Sequence, residues 1–309
     1  QMAPSLAEGA CHASPEAHAR IVRVPSRDPA FGLYQTARWP YPARDLIELA
    51  TYRFDIHGRR AASIVTQAGC PFACNFCGHN EGYQKLVLRS PVHVKGELQQ
   101  ILHRYPWVGA VMLYDDEINI RGDFLDLLTA LGDIGQHGDR LAYRGFFKCG
   151  KSFMRPEVFA AMRQAGFVEL CTGAEAADPA ILKRVGKGAT VEDNTRFVEL
   201  CAENGIAAKC FSMVGHPGES WESVRRLRDW LVSAVQIANG RVKIDADVTI
   251  LTPTRHTPIW DRPDKFPDLI FDREAIDFGS QAIHYKGRPG EYQCPTRTPA
   301  MTSQDIVEA

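Results

Sequence analysis

The sequence has no apolar run long enough to cross a bilayer: its longest, 61–68 and 246–251, fall far short of the ~20 residues required. It also has almost no net charge, with 36 Lys+Arg against 37 Asp+Glu, so no basic field points to a nucleic-acid partner. The first 20 residues lack a basic start followed by an apolar stretch, which argues against a secretory leader. These absences imply a cytoplasmic protein. Low-complexity tracts, short internal repeats and Gly/Ser linkers are missing too, and 309 residues then fit one large catalytic domain better than two. With 45% hydrophobic and 24% charged residues, the disordered and collagenous classes are excluded.

The chain does have nine cysteines. In an intracellular protein of this size they do not read as a disulfide framework. Cys11, Cys149, Cys171, Cys201, Cys210 and Cys294 are scattered, whereas Cys70, Cys74 and Cys77 sit together in GCPFACNFCGHN.

After an irregular lead, apolar strand-like runs alternate with amphipathic helical patterns, the signature of βα units. Strands are expected at 61–68, 108–114, 140–148, 167–172, 206–213 and 242–250. Between the first two, Val94, Leu98, Ile101 and Leu102 follow the spacing of one apolar helix face. Val224, Leu227, Trp230, Leu231 and Ala234 repeat it, Thr190-Val-Glu-Asp193 reads as a capping box, and Asn204-Gly205 reads as a helix stop. Successive βα units wind in one hand. The predicted fold is therefore α/β: a partial (β/α)6 TIM-like barrel over 59–260, with an N-terminal extension at 1–58 and a C-terminal extension at 261–309 that can act as a substrate lid.

Such barrels carry their chemistry in the loops at the carboxyl ends of the strands. After successive strands come Cys70-x3-Cys74-x2-Cys77, Tyr114-Asp-Asp-Glu-Ile-Asn119, Lys148-Cys-Gly-Lys151, Gly173-Ala-Glu175, Met213-Val-Gly-His-Pro-Gly-Glu219 and Thr252-Pro-Thr-Arg-His256. Polar, reactive and Gly-rich residues thus gather on one rim.

Three thiolates in so short a loop can converge on one metal centre. One candidate is zinc, which wants four protein ligands and would recruit His79 as the fourth, making the loop a structural knuckle in a binding module. The other is a 4Fe-4S cluster held through three irons, its fourth iron open to an exogenous ligand. The neighbouring residues also have plain readings. Asp115, Asp116 and Glu117 would cap the following helix, Glu175 and Lys187 would form a surface pair, and Lys183, Arg184, Arg225, Arg226 and Arg228 would be solvated helix faces. His216 and His256 would be ordinary loop residues.

C-x3-C-x2-C after the first strand of a βα barrel resembles the signature of the radical S-adenosylmethionine (radical SAM) superfamily, and the likeness extends over roughly 55–260. The resemblance implies that Cys70, Cys74 and Cys77 hold the cluster and that S-adenosylmethionine chelates its open iron. Reductive cleavage then gives a 5′-deoxyadenosyl radical that takes hydrogen from substrate. Phe76 occupies the aromatic position near the adenine. Tyr114, Asp115, Asp116 and Glu117 stand where the family binds the cofactor's amino group. Glu175 matches a polar contact to ribose or carboxylate, Lys187 matches a cation for the carboxylate, and Ser212 to Gly215, with Val214 between them, match the segment along adenine and ribose. A low-potential electron donor such as flavodoxin or ferredoxin is implied as partner.

The stretch from Thr51 is similar to the catalytic half of cobalamin-dependent radical enzymes. However, Asp55-Ile-His57-Gly58 departs from the Asp-x-His-x-x-Gly cobalamin loop because position 60 is Arg, and 69 residues before Cys70 are too few for a cobalamin domain. Methylation assisted by cobalamin is therefore disfavoured, and no second cysteine group suggests an auxiliary cluster. The remaining expectation is a single-cluster enzyme of natural-product tailoring, acting on a polar small molecule such as a sugar, aminocyclitol or nucleoside. Epimerisation leads, with dehydrogenation, carbon–carbon bond formation and methyl-type transfer behind it. Cys294 and Cys149 are the candidate hydrogen donors. Cys171, Cys201 and Cys210 read as buried structural thiols. Tyr114, Asp245, Asp247, Arg255 and His256 are expected at the mouth, joined by His284, Tyr285, Arg288 and Tyr292 from the tail.

Overall fold

The computed structural model describes residues 40–78, 85–135, 141–273, 276 and 294–309. Its centre is a seven-stranded sheet of β1 (Asp55–Ile56), β2 (Arg59–Ile64), β5 (Ala110–Leu113), β6 (Ala142–Phe146), β7 (Phe167–Glu175), β8 (Ala207–Val214) and β9 (Ile244–Ile250), in that spatial order. β1 is antiparallel to β2, and the other six strands are parallel in sequence order. The sheet curls into a half-barrel, the partial TIM-like architecture expected. Two short ribbons complete the strands: β3 (Gln67–Ala68) with β4 (Val87–Leu88), and β10 (Ile270–Phe271) with β11 (Thr296–Arg297).

Parallel strands are covered on both faces and read as continuous apolar runs. All four residues of β5 are buried. Val111, Leu113, Tyr143, Leu170 and Ala208 face the helices in the main core, while Ala61, Ala110, Met112 and Ala142 form a smaller cluster with Phe146 on the inner face.

The helices are α1 (Pro91–Arg104), α2 (Phe124–Gly132), α3 (Pro156–Ala165), α4 (Pro179–Val185), α5 (Val191–Glu203), α6 (Trp221–Ala238), α7 (Pro258–Asp261) and α8 (Ser303–Glu308). α1 starts at Ser90, whose hydroxyl accepts from His93 N, with Pro91 in the first turn. It buries the predicted Val94, Leu98 and Ile101. The capping box of Thr190 and Asp193 opens α5, and Gly205 follows its end at φ 64°. α3 ends at Gly166, φ 108°, where a Cβ would lie 2.5 Å from Leu141 O, so only glycine turns the chain there. No described helix is long and apolar enough to cross a membrane.

Two strand ends differ from the apolar pattern. β2 stops at Ile64 although the run continues to Ala68, because the Asp115 carboxylate takes the N–H groups of Thr66 and Gln67 and turns the chain out of the sheet. β7 runs on to Glu175, past the polar residues where the pattern ends, by pairing with β8 through a register shift between Gly173 and Glu175. The segment 294–309 packs on the half-barrel: Met301 and Ile306 join the main core, and Thr298 Oγ1 donates to Glu219 O at 2.8 Å.

Candidate active site

The three-cysteine loop leaves β3 and is pinned through Asn75. Its N–H donates to Val185 O at 2.8 Å, its side-chain amide to Arg184 O at 2.7 Å, and its carbonyl accepts from Ile259 N at 3.0 Å. The loop is thereby clasped to the end of α4 and the start of α7. Phe76 packs on Ala176, Ile181 and Leu182 on one side and on Leu251 and Ile259 on the other. The thiols of Cys70, Cys74 and Cys77 are half-buried. Burial raises the Cys70 thiol above its ordinary value, helped by the charges of Glu117 and Asp116. Burial raises Cys74 as well, opposed by Lys187 and Lys148.

Beneath the loop lies a layer of buried charge. Glu175 and Lys187 pair at 2.9 Å, each only 7% exposed, so they are not the surface pair of the plain reading. Glu175 is aimed by the bulge and by a left-handed backbone, φ 61°, costly for a non-glycine residue and concentrated at functional sites. Lys187 stands between Gly186 and Gly188, both at φ 69°. Burial works against the charge on Lys187, yet Glu175 and Glu117 hold its pKa well above the ordinary lysine value. Lys148, at the end of β6, donates to Lys187 O at 2.5 Å and lies 4.7 Å over the Phe72 ring.

The Asp-Asp-Glu segment divides its tasks. Asp115 is buried and accepts from Thr66 N at 2.6 Å, Gln67 N at 3.2 Å and the Thr66 hydroxyl, while α2 begins only at Phe124, so the segment does not cap that helix. Asp115 therefore fastens the start of the cysteine loop instead of facing an open site. Burial pushes its carboxyl up to about 6. Burial pushes Glu117 up to about 7 against the pull of Lys187 and Lys148, and its Oε2 is buried without a hydrogen-bond partner. Asp116 is exposed, and Tyr114 stands 68% exposed on the rim.

On β8, Ser212 pairs in register with Glu175, and its buried Oγ has no partner. Val214 departs from expectation: its side chain is in the main core and its carbonyl is taken by Leu251 N at 2.8 Å, because strand alternation points it toward the helices. His216 is fully buried with neither ring nitrogen hydrogen-bonded, its ring centroid 6.2 Å from that of Phe76. Burial lowers its pKa, opposed by the charge and the backbone of Glu175. Sequence reasoning left His216 between a place on the rim and an ordinary loop role, and set Lys148 on the rim without a task; a lysine closing the apolar run GFFK was the available signal.

The hydrogen-donor candidates separate. Cys149 is completely buried in the core, not on the open rim. Thr172 Oγ1 donates to Phe147 O at 2.9 Å, so the Cys149 thiol must be the donor in its 3.0 Å contact with that hydroxyl. Cys294 is only partly buried and donates to Thr296 O at 3.1 Å. Thr296 lies against Gly215, the residue before His216. Asp245 and Asp247 are not at the mouth: they face Lys209 at 3.3 and 2.9 Å, lower on the inner face. His79, His284, Tyr285, Arg288 and Tyr292 lie outside the described residues.

Among the described residues no three His, Cys, Asp or Glu side chains converge tightly enough for a single ion. A cubane asks less, since each thiol takes a different iron. The half-buried thiols, the unpartnered polar atoms of Glu117 and His216, and the buried ammonium groups suit an iron–sulfur cluster with a polar, carboxylate-bearing cofactor beside it. A half-barrel with these groups at the carboxyl ends of its strands defines a class of cofactor-dependent radical enzymes.

The chain belongs to the radical SAM superfamily, whose family model matches residues 64–231. Its cofactors are a 4Fe-4S cluster and S-adenosylmethionine. Membership sets aside the zinc knuckle. The chain is similar to the anaerobic magnesium-protoporphyrin IX monomethyl ester cyclase of Rubrivivax gelatinosus, 27% identical over 230 residues, covering 72% of this chain and 39% of that one. It is also similar to the hopanoid C-2 methylase of Rhodopseudomonas palustris, 26% identical over 254 residues, 78% of this chain and 44% of that one. Among solved structures it resembles TsrM, a radical S-adenosylmethionine methyltransferase from Kitasatospora setae with cobalamin and a 4Fe-4S cluster bound. The TM-score is 0.58 with 21% identity, covering 71% of this chain and 40% of that one, a likeness of fold. The chain thus spans less than half the length of these relatives.

Proposed function

We propose that this protein abstracts a hydrogen atom from a polar small molecule in natural-product biosynthesis, with epimerisation as the leading outcome. When bound, the cluster supplies the electron and S-adenosylmethionine the radical that takes the hydrogen. Cys70, Cys74 and Cys77 hold the iron, and Glu175 and Lys187 orient the methionyl end. Phe76 and the backbone of the Ser212–Gly215 segment flank the nucleoside. Glu117 is the acceptor for the cofactor's amino group, and Asp115 keeps the loop in register.

The observation that carries epimerisation is the position of Cys294. Of the thiols after the cluster loop it is the one left partly open among the described residues, and its segment is held against Gly215. Burial raises its pKa, so at neutral pH it is a thiol, the form with a hydrogen atom to give. Its S–H bond breaks as a C–H bond forms on the substrate carbon. The resulting sulfur radical is reset by one electron from a low-potential donor protein and one proton from solvent. A second reading, methyl-type transfer, is favoured by the methylase among the relatives.

The test is anaerobic reconstitution with iron and sulfide, then reduction in the presence of S-adenosylmethionine and candidate polar substrates in deuterated water. One deuterium at one carbon, with Cys294→Ala abolishing product but sparing 5′-deoxyadenosine release, is the expected result. A product heavier by a methyl group would replace it with the second reading, and a product two hydrogens lighter would mean dehydrogenation.

A further inference from the structure

Lys148 is 2% exposed, yet among the described residues no carboxylate lies within ion-pair distance of it. Its backbone is fixed by one side chain: Asn119 Oδ1 accepts from Lys148 N at 2.8 Å and Asn119 Nδ2 donates to Lys148 O at 3.0 Å. Its ammonium is fixed by Lys187 O and by the face of Phe72, which lies between Cys70 and Cys74 in the loop. Burial and then the charge of Lys187 lower its pKa, opposed by the charge of Glu117. Lys187 itself is matched by Glu175. The layer beneath the cysteine loop thus holds one balanced ammonium and one aimed at the loop without a counter-ion. A buried charge of that kind is retained only where an anion completes it.

We propose that the anion completing Lys148 is the iron–sulfur cluster itself, so that Lys148 is a positioning residue that raises the cluster's reduction potential. Three thiolates make such a centre anionic, and reduction adds one more negative charge. A fixed cation beside it in a dry pocket therefore favours the reduced form. The step is one electron in from a one-electron donor, with no bond made or broken. This rests on Cys70, Cys74 and Cys77 holding the cluster.

The experiment is a redox titration of the reconstituted full chain, followed by the paramagnetic resonance of the reduced cluster, with and without S-adenosylmethionine. In Lys148→Met the reduced-to-oxidised ratio at a fixed potential falls about tenfold, a 59 mV drop for a one-electron couple. Lys148→Arg keeps the wild-type midpoint, and the drop is the same without S-adenosylmethionine. An unchanged midpoint in an iron-loaded Lys148→Met protein overturns the proposal. So does a drop that appears only when S-adenosylmethionine is present, which would make Lys148 a cofactor ligand. If Lys148→Met folds but loses iron, retention of iron by Lys148→Arg supports the charge, and loss in both overturns it. Wild-type protein that binds no iron would sink the reading of the cysteines, an outcome visible before any variant is made.

Discussion

The inner face of the sheet treats charge differently at its two ends. Toward the amino ends of the strands, His57 and Arg144 meet Glu169 at 3.1 and 2.8 Å, and Lys209 meets Asp247 and Asp245, with His57 and both aspartates well exposed. Toward the carboxyl ends the polar atoms are buried and matched only in part: Glu175 has Lys187, but among the described residues Lys148 has a backbone carbonyl and no paired carboxylate, and Glu117 Oε2 has no hydrogen-bond partner. Charges that touch water are cheap to keep and cheap to lose. Buried polar groups left incomplete need a reason, and under the proposal above the pair of cofactors supplies it. The lower end is scaffold, and the upper end is a mould for something absent from the polypeptide.

The sharpest way to break that contrast is at the mould's own ligands. Cys74→Ala should take bound iron from about four per chain to background, with 5′-deoxyadenosine release lost alongside it, as read by iron assay and chromatography. Next comes a matched pair of lysines. Lys187→Met leaves Glu175 buried and alone and should cost about 3–5 kcal/mol in denaturant unfolding, whereas Lys209→Met should cost about 0.2–1 kcal/mol. Equal losses would show that the two ends do not differ. A smaller effect concerns pH. Because the Asp115 carboxyl is pushed up to about 6 by burial, from an ordinary 3.8, the folded chain keeps a proton there that the unfolded chain has released. Stability contributed at this site is therefore present at low pH and falls as pH rises from about 4 to about 6. Asp115→Asn should flatten that part of a plot of unfolding midpoint against pH. Smallest of all, His57→Ala should shift stability by a few tenths of a kcal/mol, ~0.5 at most.

Much of the scaffold was legible in the sequence. The central strand β5 is buried on both faces and so shows as an apolar run, and the α5 capping box is local chemistry between Thr190 and Asp193. The end of β2 was not legible, because Asp115 sets it from 49 residues away. Nor was the bulge that aims Glu175, since apolarity has run out by Gly173. The cysteine loop was plain from spacing alone. Lys148 was not, because its meaning depends on sheet order, which brings the ends of β5, β6 and β7 and the turn after α4 to one place. Asp245 and Asp247 were set too high because polarity in a strand gives no measure of depth.

Gly173 carries a consequence for any attempt to remake this protein. A Cβ there would fall 2.6 Å from Lys187 Nζ and closer still to Glu175 Oε1, in volume the ion pair already fills. The obstruction would be the bridge itself, so a side chain at 173 is accommodated only if the tips of Glu175 and Lys187 move together. In a saturation library selected for turnover, this position should be enriched in glycine over the neighbouring positions of β7, and any larger residue there should come with a displaced bridge.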